Sequence, residues 1–193
     1  MRLKFLTLVA ATAFATSLAA HADSIIYTES AIGSGSLGKT DFTNALITLT
    51  ATGDTGSVIN DGGVFIIVLP VELTVEGLGS TMFTDTMQFV SNTSNGVAGV
   101  GDNTNGLGVL FTVSNVFHTY NLQTGIGPIT GASNFNTGSS FNTAEGTFVT
   151  SSFDNSTFEA VTSSSVPEPS TIAMFGSGLL GLAGAARRRI RRS

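Results

Sequence analysis

The sequence predicts an all-β protein whose body is an antiparallel β-sandwich-like domain, and three observations carry that expectation. Between Asp23 and Ser165 the dominant residues are Thr, Ser, Gly, Asn, Val and Phe, with few of the straight-chain residues that sustain helices. Segments in which apolar and polar side chains alternate with a period of two recur along the same stretch. Between them lie clusters of Gly, Asn, Asp and Ser, residues that turn a backbone or tolerate positive φ.

Taken in order, FTNALITLT (Phe42 to Thr50) alternates loosely and predicts a strand. VFIIVLPVELTV (Val64 to Val75) begins as a continuous apolar run and ends alternating. It predicts one strand with Pro70 at an edge or bulge, since proline cannot donate to a ladder. TMFTDTMQFV (Thr81 to Val90) is a further strand, and GVLFTVSNVFHTYNL (Gly108 to Leu122) is two strands or one bent strand. GTFVTSSF (Gly146 to Phe153) and STFEAVT (Ser156 to Thr162) complete the set. ATGDTGS, NDGG, EGLGS, SNTSNG and GDNTNGLG separate these strands, with Asp61-Gly62 and Asn105-Gly106 as tight-turn dipeptides. The stretch from Gly125 to Ala144, rich in Gly, Ser, Asn and Thr, predicts a long loop or a weakly ordered insertion.

The first 22 residues have a different character. Arg2 and Lys4 precede an apolar run from Phe5 to Ala20, and Ala20-His21-Ala22 supplies the small-x-small site of a secretory signal peptide. This predicts a signal helix over 1–22, export by Sec-type machinery, and cleavage after Ala22 that leaves Asp23 at the start of the body. The β-rich extracytoplasmic domain then runs over 23–161, and the serine-rich TSSSV at 162–166 is a linker.

Lys39 is the one basic residue between Asp23 and Ser165, against twelve carboxylates, so that body has a net charge of −11. Such a field repels phosphate and excludes sequence-independent binding of nucleic acid. There is no cysteine, hence no disulfide framework and no thiol chemistry.

The end of the chain reads VPEPSTIAMFGSGLLGLAGAARRRIRRS. Fifteen apolar or small residues from Ile172 to Ala186 make a helix of about 22 Å. Ser170 and Thr171 extend it, so residues 170–186 predict a single, marginal transmembrane helix. Arg187, Arg188, Arg189, Arg191 and Arg192, over the tail 187–193, form a stop-transfer cluster that stays in the cytoplasm and leaves the body outside. GSGLLG at Gly176 to Gly181 and GSGSLG at Gly33 to Gly38 match the glycine pattern of a dinucleotide loop. Neither has the strand, helix and downstream acid that such a site requires. Pro167-Glu168-Pro169 stands just outside the span, held extended by its two prolines.

The ordered set of Val166-Pro167-Glu168-Pro169-Ser170-Thr171, a glycine-rich apolar segment and a terminal arginine cluster resembles the sorting signal of the PEP-CTERM family of exported bacterial proteins. The resemblance covers 166–193 and says nothing of the body's fold. It implies an exosortase as processing partner, Pro167, Glu168 and Pro169 as the recognised residues, and a membrane-anchored precursor later delivered to the cell surface or released. The family's association with exopolysaccharide-making bacteria further implies a place in an extracellular matrix or biofilm.

Catalytic constellations are thin in the body. His118 is its only histidine, read as lying on a strand without a nucleophile elbow, so no catalytic residue is assigned and no enzymatic activity is expected. Glu72 and Glu76 on one strand would stand about 13 Å apart, too far to share a site. Asp54, Asp61 and Asp102 in turns are calcium candidates in type but lack a ligand loop's spacing, and turn capping accounts for them. No metal or cofactor is assigned. The expected function is that of a structural or adhesive surface protein. A sugar- or calcium-binding adhesion module is the alternative, with Tyr27, Tyr120 and phenylalanines as the available rings, and a secreted hydrolase comes third.

Overall fold

A computed structural model describes residues 23–163 and residue 178 of the chain. The described body is all-β and antiparallel, with twelve strands: β1 (Ser24–Leu37), β2 (Thr40–Asp54), β3 (Ile59–Asp61), β4 (Val64–Val68), β5 (Glu72–Val75), β6 (Gly79–Met82), β7 (Met87–Asn92), β8 (Val97–Asp102), β9 (Gly108–Val113), β10 (Ile126–Asn134), β11 (Ser140–Thr143) and β12 (Gly146–Ser163). Two 3-10 turns, Thr55–Ser57 and Asn115–Thr119, interrupt them. Among the described residues no helix is long and apolar enough to cross a membrane. The predicted signal helix with Ala20 and Ala22, the Pro-Glu-Pro triplet, the transmembrane segment apart from residue 178, and the arginines fall outside the described residues.

The strands form one hydrogen-bonded path, β3-β4-β7-β8-β9-β10-β12-β1-β2-β5-β6, with β11 added on β12. The sandwich-like body is thus a single antiparallel sheet that curls until its inner face packs on itself. Strand β10 makes the corner. Its residues Ile126 to Gly131 pair with β12, whereas Ala132 to Asn134 pair with β9. Gly131 permits the change of partner because a Cβ there would stand 2.0 Å from the Val113 carbonyl oxygen, closer than any side chain is tolerated.

Alternation decides which side chains the curl encloses. On β1 the residues Ile25, Tyr27, Glu29 and Ala31 point inward and are buried, as are Ala45, Ile47, Leu49 and Ala51 on β2. Tyr27 stacks on Phe89 of β7 with ring centres 5.0 Å apart. Phe158 of β12 meets Phe89, Phe117 and Tyr120 edge-on, an aromatic arrangement favoured beyond simple burial. Tyr27 donates its hydroxyl to the Leu122 carbonyl at 2.5 Å, so its polar tip is satisfied inside the core.

Several strand boundaries differ from the sequence reading. The run Val64 to Val75 breaks at Pro70: the Leu69 N–H bonds Met87 while the Val71 carbonyl accepts from Phe83, so the chain changes sides there. Proline marks a corner between β4 and β5 and not a bulge within one strand. Thr81 to Val90 breaks likewise into β6 and β7, and Phe83 between them pairs with Thr143 to join β6 to β11. Asp85 fixes that junction by accepting from the Asn142 backbone N–H and its side-chain amide.

The stretch Gly125 to Ala144 is not a loop, since it holds β10 and β11. Its small polar residues suit a strand that must lie close against two others. After β9 the chain forms a 3-10 turn capped by Ser114, not a second strand, and His118 sits on that turn. The two predicted C-terminal strands are one, β12, which runs on to Ser163 through the first two residues of the stretch read as a linker.

Candidate functional site

Register places one row of hydroxyls across the outer face of six neighbouring strands. Thr130 of β10 lies opposite Thr157 of β12, Thr157 opposite Ser30 of β1, Ser30 opposite Thr48 of β2, Thr48 opposite Thr74 of β5, and Thr74 opposite Ser80 of β6. Five strand spacings make the row roughly 24 Å long. All six residues reach solvent, and the hydroxyl contacts Thr130–Thr157 (2.8 Å) and Thr74–Ser80 (2.7 Å) tie its two ends. One row over, Glu159, Thr28, Thr50 and Glu72 stand in register. Exposed aliphatic pairs frame the hydroxyls, Ile26 with Val161 on one side and Ile32 with Leu46 on the other.

Where β10 and β12 continue past that row, Ala132, Ser133, Phe153, Asp154 and Asn155 line an open surface groove. Phe135 meets Phe153 edge-on at 4.9 Å, and both rings are half-buried. Phe153 can lie down there because Gly33 beneath it has no side chain. The face therefore offers uncharged donors and acceptors, apolar strips and two rings, and no cation: Lys39 lies in the turn between β1 and β2.

The chemistry weighed from sequence finds no common centre. His118 is exposed, with Nδ1 donating to the Thr93 carbonyl at 2.5 Å and its other nitrogen packed against Gly96. Glu76 accepts from the Leu46 N–H through Oε2, and Glu72 sits in the outer row. Asp54 accepts from Gly56 N–H, and Asp102 from Thr104 N–H, each at 2.7 Å, while Asn60 beside Asp61 accepts from Gly63. These are turn-capping bonds. Among the described residues no three His, Asp or Glu side chains converge as metal ligands. Tyr27 and Tyr120, counted as rings for a ligand, are buried in the core, and burial pushes both hydroxyls well above the usual tyrosine range. The accessible rings beside the groove are Phe135 and Phe153 instead.

Glu29 was passed over in the sequence, since an acid within alternating SIIYTESAIG gives no sign of which face it takes. It points inward and is fully buried. Burial holds its carboxyl well above the usual carboxylate range, opposed by its hydrogen bonding with Thr112 and Ser156. Thr112 Oγ1 on β9 lies 2.6 Å from Glu29 Oε1 and 2.7 Å from Ser156 Oγ on β12, and Ser156 Oγ lies 3.2 Å from the Phe111 carbonyl oxygen.

Beyond the body, residues 165–189 match the family model of the PEP-CTERM protein-sorting motif. The chain carries that sorting motif. The PEP-CTERM match encloses Pro167, Glu168 and Pro169 together with the apolar segment and Arg187 to Arg189, and Arg191 and Arg192 follow it directly. It implies an exported protein, targeted to an exosortase and held as a precursor by its C-terminal segment. No curated protein and no solved structure matches the chain.

Proposed function

We propose that this chain is a non-enzymatic surface or extracellular-matrix protein, exported through Sec-type machinery and sorted by an exosortase, with a structural or adhesive role. The PEP-CTERM match at 165–189 carries this reading. The acidic, cysteine-free, Thr- and Ser-rich body supports it, since a body without disulfides rests its stability on burial while its outer face carries hydroxyls and carboxylates. The processed body is delivered to the cell surface or the surrounding matrix.

Intact mass and cell fraction in the native host test it. Wild-type protein is expected to lack the residues before Asp23 and those beyond the Pro-Glu-Pro region, while Glu168→Ala stays full-length in the membrane. A wild-type chain that keeps its arginines and remains membrane-bound overturns the sorting reading.

The outer hydroxyl row favours a second reading, a glycan-binding adhesion module. Hydroxyls both donate and accept, as a polyol's do, and the aliphatic pairs and the two phenylalanine rings match the apolar faces of sugar rings. Glu159 and Glu72 in the next row and the absence of a cation direct the face toward a neutral glycan and away from an anionic one. The calcium form of this reading has less support, because Asp54 and Asp102 already serve their own turns.

A further inference from the structure

We propose that Glu29, Thr112 and Ser156 form a proton-dependent latch inside the curl, closed by a neutral Glu29 carboxylic acid and weakened as Glu29 gives up its proton. Three strands meet in it. Glu29 belongs to β1 and Ser156 to β12, neighbours in the sheet, whereas Thr112 belongs to β9, which reaches them only across the curl beside the β10 corner.

Hydrogen counting supports the neutral acid. The chain of contacts from Glu29 through Thr112 and Ser156 to the Phe111 carbonyl has three links, and each needs one hydrogen. Two hydroxyls supply two hydrogens. A protonated Glu29 supplies the third, donating to Thr112, which donates to Ser156, which donates to Phe111. An ionised Glu29 leaves one link unmade. Its second oxygen, Oε2, is buried without a hydrogen-bond partner among the described residues. A neutral carbonyl oxygen bears that isolation at modest cost, while a carboxylate oxygen does not.

Among the described residues nothing nearby offers the ionised form a counter-charge. Glu29 lies opposite Leu49 on β2 and Phe158 on β12. Strands β9 and β10 carry no titratable residue. The other carboxylates of the adjoining strands, Asp41 and Asp54 on β2 and Asp154 and Glu159 on β12, all reach solvent. Tyr27, two residues away on the same face, and Tyr120 both hold their protons more tightly than usual, again through burial.

The direction of the pH effect follows from linkage. The unfolded carboxyl titrates near its ordinary value of 4.5, and the folded one well above it. Below the ordinary value the latch contributes in full. As pH rises toward the folded value, the unfolding constant attributable to Glu29 grows about tenfold per pH unit, and the loss ends once the folded acid has titrated. The closed sheet is accordingly strengthened by acid.

Urea unfolding of the full chain, followed by circular dichroism from pH 4.5 to 9, tests the latch against Glu29→Gln. Glutamine can donate one amide hydrogen to Thr112 and has no proton to lose. Surface carboxylates act alike in both chains, so the wild type is expected to lose stability relative to Glu29→Gln by close to tenfold per pH unit above pH 4.5. Parallel curves for the two chains overturn the proposal. Should the variant fail to fold, the infrared carbonyl band of a protonated carboxylic acid decides on the wild type alone. Followed upward from pH 4.5, a band that persists in the folded chain at pH values where the urea-unfolded chain has lost its own supports the latch, and a band lost over the same range in both refutes it.

Discussion

On β1 the inner residues Ile25, Tyr27, Glu29 and Ala31 are all buried, while the outer residues Ile26, Thr28, Ser30 and Ile32 all reach solvent. Both sets contain β-branched side chains, so both satisfy the strand equally well. What separates them is the partner that each must suit. The inner set meets side chains whose shape and hydrogen bonding are fixed by the curl, and its two polar members each have a counterpart: Tyr27 has Phe89 and Leu122, and Glu29 has Thr112. The outer set meets only its neighbours along the rows, which leaves its chemistry free to serve the surface. The contrast teaches that strand propensity specifies neither the core nor the candidate site, and parity along the strand specifies both.

The largest break in this comparison comes from removing a ring on the inner side. Phe158→Ala deletes the side chain on which Phe89, Phe117 and Tyr120 all converge, and is expected to cost about 3–5 kcal/mol in urea unfolding. Val161→Ala, three residues along β12 and 53% exposed on the outer face, is expected to stay within about 0.5 kcal/mol. Equal losses for the two would mean that the inner and outer faces are not distinguished by packing.

Next in size is the corner that makes an inner face possible. Gly131→Ala forces a methyl group against the Val113 carbonyl oxygen, and the backbone of β9 or β10 must move to admit it. The expected cost is roughly 1–3 kcal/mol by denaturation. A neutral outcome would show that the junction of β10 with its two partners yields easily, and the curl would then owe its form to the core alone.

Alternation and turn residues exposed the all-β class and many of the strands, but they did not predict β1, β3 or β8, although β1 alternates strictly from Ile25 to Ala31. The turn of the β3–β4 hairpin lies one residue beyond the predicted Asp61-Gly62: Asp61 pairs with Val64, and Gly62 and Gly63 make the turn at φ +60° and +93°. The corners were not legible, because a corner is a change of hydrogen-bonding partner that leaves the composition of the strand unaltered. Pro70 signalled an interruption without saying that the chain changes sides there. Gly125 to Ala144 seemed loop-like because close approach between strands requires the same small residues that loops use. The hydroxyl row was invisible for a related reason: its six members lie on strands far apart in sequence and align only through register. The terminal motif was legible outright, since a sorting motif is written in consecutive residues.

The smallest expected change in stability is the most informative about the outer face. Ser30→Ala with Thr48→Val removes two central hydroxyls of the row while keeping strand-compatible shapes, and each change is expected to shift stability by no more than about 0.5 kcal/mol. Binding to neutral glycans, measured with the full chain, has the opposite sensitivity if the row is the contact surface. Two lost hydrogen bonds are worth about 1–3 kcal/mol, or roughly a 5- to 150-fold loss of affinity. The inner face predicts the reverse pattern, in which a substitution lowers stability first and binding only as a consequence. A double variant that unfolds like wild type and binds glycans equally well would dismiss the row as a ligand surface while leaving the sorting reading untouched, because that reading rests on the motif at 165–189 and not on this face.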